Sequence, residues 1–314
     1  MTLQQLEYIV ALDTHRHFVN AARHCFVTQA TLSMMIRKLE DELGVRLFDR
    51  SHQPVTPTPI GETLVAQARL ILQEASRMTQ LVEEAQGTVS GELRLGVIPT
   101  LAPYLLPRFL PALLANYPAL QVRVTEANTS ELMERLEGHT IDAALLATPL
   151  ERATLTEHPV FYERFFVYAA TGEKLPRKTG LSPSDINTER LWLLSEGHCL
   201  RTQVLQLCGG QAGSRRLAFE TGSLEMLLRL VDAQGGLTIL PELAIDGLSA
   251  EQQKNVISFR NPAPVREISI VTTPHYARRK IVEVLSATVR AHLPSPGNER
   301  FRKNVLAPLG GDKS

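Results

Sequence analysis

The chain has 314 residues, with 33 Lys plus Arg balanced by 33 Asp plus Glu, 44% apolar and 21% charged. That length fits about two domains, the apolar content excludes a disordered chain, and no run of ~18 uninterrupted apolar residues is available to span a membrane. The opening MTLQQLEYIV lacks a basic segment followed by an apolar core, so no secretion leader is expected; three cysteines are too few to staple a chain this long, and the expected compartment is the reducing cytoplasm.

The first 58 residues read as short helices. Leu6, Ile9, Val10 and Leu12 begin an amphipathic pattern. A second helix is expected over 18–25 and a third over 28–43, with Thr28 as its N-cap and Gly44 as its stop. Two helices joined by so short a break read as a helix-turn-helix. Residues 45–59 hold three prolines and suit a small wing. Over 60–86, Leu64, Ala68, Ile71, Ala75, Met78, Val82 and Ala85 step 4-3-4-3-4-3, a heptad seam on a helix about 40 Å long. Such a helix is expected to pair with a second copy, because a reader of two half-sites needs a partner; an ordinary core-facing helix shares the pattern.

From Glu92 onward strands and helices alternate. Strands are expected at 93–98, 120–126, 141–147, 191–194, 217–219, 237–240 and 268–271. Helices are expected near 103–117, 130–136, 199–208, 224–233 and 277–291. This is an α/β pattern of two subdomains with a cleft between them. The domains are expected at 1–58, 59–87 and 88–314, the last divided into a subdomain I of about 88–162 and 268–295 and a subdomain II of about 163–267. The Pro- and Gly-containing tail 294–314 is expected to be loose.

Zero net charge gives no bulk attraction for nucleic acid, but placement matters more. Residues 1–58 carry six basic and six acidic side chains, yet 14–39 holds Arg16, Arg23, Arg37 and Lys38 and no acid at all. On the third helix Leu32, Ile36, Leu39 and Leu43 form the expected buried stripe. Thr28, Gln29, Thr31, Ser33 and Arg37 then face outward near its start, as hydrogen-bonding types suited to base edges and phosphates.

A second segment centres on Cys199, expected just after a strand and at a helix start. A helix N-terminus lowers a thiol pKa, and Arg201 and any charge on His198 act the same way. The thiolate is the form that peroxide oxidises to a sulfenic acid. Cys208 lies nine residues on, ~13.5 Å along a helix axis. A disulfide needs Cα atoms within ~7 Å, so joining these two requires the helix to unfold. Two buried packing thiols are the alternative. Cys25 reads as core. No zinc-like Cys/His spacing occurs, and His15 and His17 do not converge on a helix. Phosphate-loop and nucleophile-elbow motifs are absent. No metal and no cofactor is expected.

The segment 18–44, with Leu47-Phe48-Asp49-Arg50 and Thr58-Pro59-Ile60-Gly61, resembles the winged helix-turn-helix of LysR-type transcriptional regulators. The linker helix and the paired α/β subdomains, periplasmic-binding-protein-like in that family, extend the resemblance over about 1–295. Ala30 departs from it, where relatives commonly carry proline. Gly197-His198-Cys199-Leu200-Arg201 followed by Cys208, together with the stretch 96–107, resembles the peroxide-sensing branch of the family; Thr202 departs there from a common Asp. The resemblance implies a peroxide pocket of Thr100, Thr129, His198, Cys199 and Arg266. Thr100 and Thr129 follow expected strands, where ligands sit in open α/β sheets, and Arg266 is expected just before the last strand. Thr129 equally suits a helix cap, Arg266 a surface ion pair and His198 a structural partner.

The combined expectation is a regulator of double-stranded DNA, not an enzyme. Its DNA-facing residues are Thr28, Gln29, Thr31, Ser33, Arg37, Lys38 and Arg50. Its signal is hydrogen peroxide, with Cys199 peroxidatic and Cys208 resolving, and its output is activation of oxidative-stress defence genes. The resemblance implies a homotetramer built from dimers joined by the linker helix, with RNA polymerase as a further partner and no membrane. The rivals are a LysR-type regulator responding to a small metabolite, a thiol peroxidase, which leaves the helix-turn-helix unexplained, and a periplasmic-type solute-binding protein, which the N-terminal helices oppose.

Overall fold

Thr2 and Gln5 form a reciprocal capping box at the start of α1 (Leu3–His15). Helix α2 (Phe18–His24) follows. Thr28 caps α3 (Gln29–Leu43) by accepting from the Thr31 N–H, and Gly44 ends α3 in the left-handed region at φ 68°. The wing is a two-stranded antiparallel ribbon, β1 (Phe48–Asp49) against β2 (Thr56–Pro57). Helix α4 (Pro59–Ala85) begins on a proline at its first position. Gly61 permits a close crossing there, since a Cβ would fall 1.9 Å from the Leu47 carbonyl oxygen. The structure, a computed structural model, describes residues 1–85, 89–176, 180–209, 221–274, 276, 278–294 and 305–308; the expected strand at 217–219 lies outside them. Its contacts separate Met1–Thr88 from Val89–Ser314.

Two expectations fail in the N-terminal unit. Leu43 is not in the buried stripe but 40% exposed. Glu40 is buried instead, because its carboxylate accepts from the Leu47 and Phe48 N–H groups and from Arg50, anchoring the wing. The heptad seam is also not uniform. Ala68 is buried in this unit's own core, and Leu64 and Ile71 pack against it, covering the apolar face of α1. Further along the seam Met78 is 73% and Val82 58% exposed, free of that role.

The C-terminal unit is built on β3 (Gly91–Val97), β4 (Leu120–Glu126), β5 (Ala143–Thr148), β6 (Thr156–Ala169), β7 (Leu237–Pro241), β8 (Val256–Ser258) and β9 (Val265–Thr272). Strand order is β4-β3-β5-β9-β6-β7, with β8 also on β6. The β3–β4 and β3–β5 pairs are parallel and the rest antiparallel. Helices α5 (Ala102–Asn116), α6 (Thr129–Glu137) and α11 (Arg279–Ala291) contribute to a first core with β3, β5 and β9. Helices α7 (Cys199–Leu207) and α8 (Leu224–Gln234) contribute to a second with the far half of β6 and β7, while the short α9 (Glu242–Ile245) and α10 (Ala250–Gln253) follow β7.

Strand β6, 14 residues long, has no counterpart in the expected elements. Its alternation is broken by a buried Glu163 at an inward position, so the period-2 signal is lost despite the aromatic-rich run. One strand joins both halves: 156–164 pair with β9, whereas 165–169 pair with β7. Arg266 lies inside β9 rather than before it, for the matching reason. The expected strand at 191–194 is reduced to a bridge between Leu191 and Leu237. The tail is also not wholly loose. Val305 bridges Val265, the Leu306 N–H donates to the Val265 carbonyl, and Gln203 Nε2 donates to the Leu306 carbonyl at 2.8 Å.

Candidate functional site

The C-terminal unit gathers four of the five expected pocket residues into a buried polar cluster, with His198 half-buried at its edge. Cys199 is the first residue of α7 and is 4% exposed. Although its helix packs on the second core, Cys199 belongs to the first. It is therefore the point where α7 crosses between the two.

Arg266 is fully buried and spends its fork on three contacts. Nε donates to Glu163 Oε2 at 2.8 Å, Nη1 to Thr100 Oγ1 at 2.8 Å, and Nη2 to the Thr100 carbonyl at 3.1 Å. Because Thr100 Oγ1 accepts from the guanidinium, its own O–H remains to donate. Thr129 is the first residue of α6, and the cap is Asn128, which accepts from the Glu131 N–H at 2.9 Å. The Thr129 hydroxyl is thus not used as a cap. It is buried and bonds no nitrogen or oxygen; the Cys199 sulfur is the group it approaches, a contact that favours the thiolate.

The electrostatics differ from the expected ones in one respect. Burial pushes the Cys199 thiol up, against the pull of Arg266, the Thr129 hydroxyl and the Leu200 amide. The relevant cation is Arg266, not Arg201, whose guanidinium donates to the Leu194 carbonyl. Burial also lowers the His198 imidazole from its ordinary range, with Glu126 opposing. Gly222 lies against that ring; a Cβ there would sit 2.9 Å from Nε2.

Cys208 caps the other end of α7 and is partly exposed. Burial pushes its thiol up to about 11. All three cysteines are free thiols, and Cys25 packs at the edge of the N-terminal core. Among the described residues no group of three or more His, Cys, Asp or Glu is placed to hold a metal, and no helix is long and apolar enough to cross a membrane.

In the N-terminal unit Thr28 and Gln29 are exposed at the start of α3 and Arg37 and Lys38 past its middle, with Thr31 and Ser33 half-exposed. Thr28 and Thr31 also bond each other, Oγ1 to Oγ1 at 2.8 Å. Arg50 is placed differently. It pairs with Glu40 at 2.6 Å and lies 5.3 Å over the Phe18 ring, so its first role is to hold the wing against α2 and α3. Sequence reasoning missed three surface residues beside this set: Phe26, 96% exposed in the turn, Met34, 61% exposed on α3, and Arg46. It also missed Glu163. An acidic residue in an aromatic-rich stretch was the available signal.

The profile of bacterial regulatory helix-turn-helix proteins of the lysR family matches residues 3–62, and that of the LysR substrate binding domain matches 86–294. A hydrogen peroxide-inducible genes activator of Haemophilus influenzae is 36% identical over 94% of this chain and 98% of its own. The Escherichia coli DNA-binding transcriptional dual regulator OxyR is 36% identical over 93% of this chain and 96% of its own. A solved full-length OxyR of Pseudomonas aeruginosa, carrying a Cys-to-Asp substitution, superimposes with a TM-score of 0.82 at 33% identity, covering 95% of this chain and 98% of that one.

Proposed function

The chain belongs to the LysR family of bacterial helix-turn-helix regulators, within its group of hydrogen peroxide-inducible gene activators, and from that membership we propose that it binds DNA through α3 and senses hydrogen peroxide at Cys199. The observation that carries this reading is the buried cluster itself. A thiol at a helix start faces a buried guanidinium and a hydroxyl that bonds no nitrogen or oxygen and has only the sulfur to approach, inside an apolar core. Neither an inert packing thiol nor a structural ion pair requires that hydroxyl to be left unsatisfied.

The chemistry follows from the groups present. The Cys199 thiolate attacks one oxygen of peroxide, the O–O bond breaks, and the leaving hydroxide takes up a proton to become water. Thr100 and Thr129 hold the peroxide oxygens through their O–H groups, and Arg266 stabilises the charge on the departing oxygen. The Cys208 thiolate then attacks the sulfenic sulfur and expels a second hydroxide, closing a disulfide. One peroxide is reduced to two waters and two thiols are lost. A nine-residue α7 separates the sulfur-bearing residues by roughly 13.5 Å, about twice what a disulfide allows, so the helix unwinds as the bond forms. That change reaches the subunit contacts of a tetramer, dimerised through α4 with its exposed Met78 and Val82, and so alters its grip on DNA and on RNA polymerase.

The test is a DNA footprint of wild type and Cys199→Ser, reduced and after stoichiometric peroxide. Wild type changes its footprint and the variant does not; a variant that still shifts with peroxide overturns the reading. Thiol counting checks the stoichiometry. One equivalent of peroxide consumes two thiols and spares Cys25.

A further inference from the structure

Glu163 has no part in the chemistry above, yet it is the most deeply buried acid beside the pocket, 2% exposed. It stands directly opposite Arg266 in the register of β6 and β9. Oε2 accepts from Arg266 Nε at 2.8 Å and Oε1 from the Leu243 N–H at 2.7 Å. Both oxygens accept N–H bonds, the pattern of a carboxylate, so the pair is Glu⁻ with Arg⁺ although burial works to raise the acid's pKa. With the thiol protonated, the three groups sum to zero charge. Ionising Cys199 adds a net negative charge to an apolar core, which is costly.

We propose that Glu163 sets the reactivity of Cys199 through Arg266, cancelling the guanidinium charge that would otherwise draw the buried thiol into its ionised form. Glu163 is thus a positioning residue with an electrostatic effect. Its bond to Nε aims the outer guanidinium nitrogens at Thr100, and its charge holds the sensor back. This rests on Cys199 being the reacting thiol. The charged and titratable groups around it are few. Arg266 from β9 acts on the sulfur, with the Thr129 hydroxyl of α6 and the α7 amides. Glu242 from α9 and Tyr104 from α5 act on the Arg266–Glu163 pair. His198 precedes the thiol, with Glu126 at the end of β4.

The experiment measures the rate of Cys199 alkylation by iodoacetamide against pH, in full-length protein carrying Cys25→Ser and Cys208→Ser. Glu163→Gln removes the charge at constant volume; its single amide oxygen keeps accepting from Arg266 Nε, so Arg266 retains its aim at Thr100, and the Leu243 N–H loses its acceptor. The alkylation midpoint falls by about one pH unit, within the range of one to three that a neighbouring charge produces. That is about tenfold faster alkylation below the midpoint. Glu163→Asp, which keeps the charge, leaves the midpoint near wild type. A midpoint that stays or rises in the Gln variant, or falls as far in the Asp variant, overturns the proposal.

Should Glu163→Gln alone fail to fold, the comparison moves to Arg266→Met with and without Glu163→Gln, where no unpaired cation is buried. Without the guanidinium Glu163 has no charge to cancel, and its buried carboxyl is neutral like Gln, so the two midpoints coincide; a double variant that titrates below the single one overturns the proposal. Alkylation needs no peroxide, so this outcome is independent of whether Cys199→Ser abolishes the footprint change.

Discussion

Replacing Thr129 by valine tests the pocket through stability as well as reactivity. Thr129 is 2% exposed, sits one residue past the cap of α6, and leaves its hydroxyl without a partner. A buried, unsatisfied hydroxyl costs about 1–3 kcal/mol. Valine has nearly the same shape and no polar group, so Thr129→Val stabilises the protein, by about 1 kcal/mol if part of the penalty is offset by the weak contact with sulfur. For a domain of this size that is a rise in Tm of roughly 2–4 °C. The same change removes a group that favours the thiolate. Cys199 therefore titrates higher, and at a fixed pH below its midpoint it loses about tenfold in reactivity per pKa unit. The assay is a thermal melt of the reduced, peroxide-free protein beside its iodoacetamide alkylation rate. A site that gains stability and loses reactivity together is built for a ligand rather than for the fold. A lower Tm for the variant would show that the hydroxyl is satisfied at rest, and the argument for a waiting peroxide site would fall.

Glu40→Ala removes the acceptor for Leu47, Phe48 and Arg50; it costs about 3 kcal/mol or more in a urea titration, and a loss below ~1 kcal/mol contradicts the anchoring role. Arg37→Ala lowers the salt slope of DNA binding by about 0.9, and an unchanged slope rules out a phosphate contact. Cys208, pushed up to about 11 from about 9, binds its proton more tightly folded than unfolded. Its contribution to stability is complete below pH 9 and is lost as pH rises toward 11. In a Cys25→Ser, Cys199→Ser protein, alkylation of Cys208 climbs about tenfold per pH unit up to pH 10; a plateau at pH 9 shows an unshifted thiol.

The N-terminal elements were legible because their signals are local. Thr28 and Gly44 bound α3 through backbone hydrogen bonds and a left-handed φ that few other residues replace. The spacing of Leu32, Ile36 and Leu39 states which face is buried without reference to any distant residue. The two subdomains were legible for the same reason wherever strands are apolar, as at Ala143–Thr148. Cys199 was legible as the start of a helix, and Thr100 and Thr129 as the residues just past strand ends.

What sequence reading lost are the charged residues that go inside. Glu40 displaces Leu43 from the buried stripe, and Glu163 and Arg266 hide the strands that contain them. Each is buried only because a partner distant along the chain satisfies it: the Leu47 N–H and Arg50 for Glu40, and Arg266 and the Leu243 N–H for Glu163. Burial of a charge is favourable only with such a partner, and periodicity along one strand carries no trace of the strand that will lie opposite. The sequence therefore determined the N-terminal elements, the apolar strands and the family, and it placed Cys199 at the start of a helix. Only the tertiary structure decided which cation faces that cysteine, which hydroxyl lies beside it, and that a buried carboxylate balances the charge, because these depend on the approach of α6 to α7 and on the pairing of β6 with β9 about a hundred residues apart.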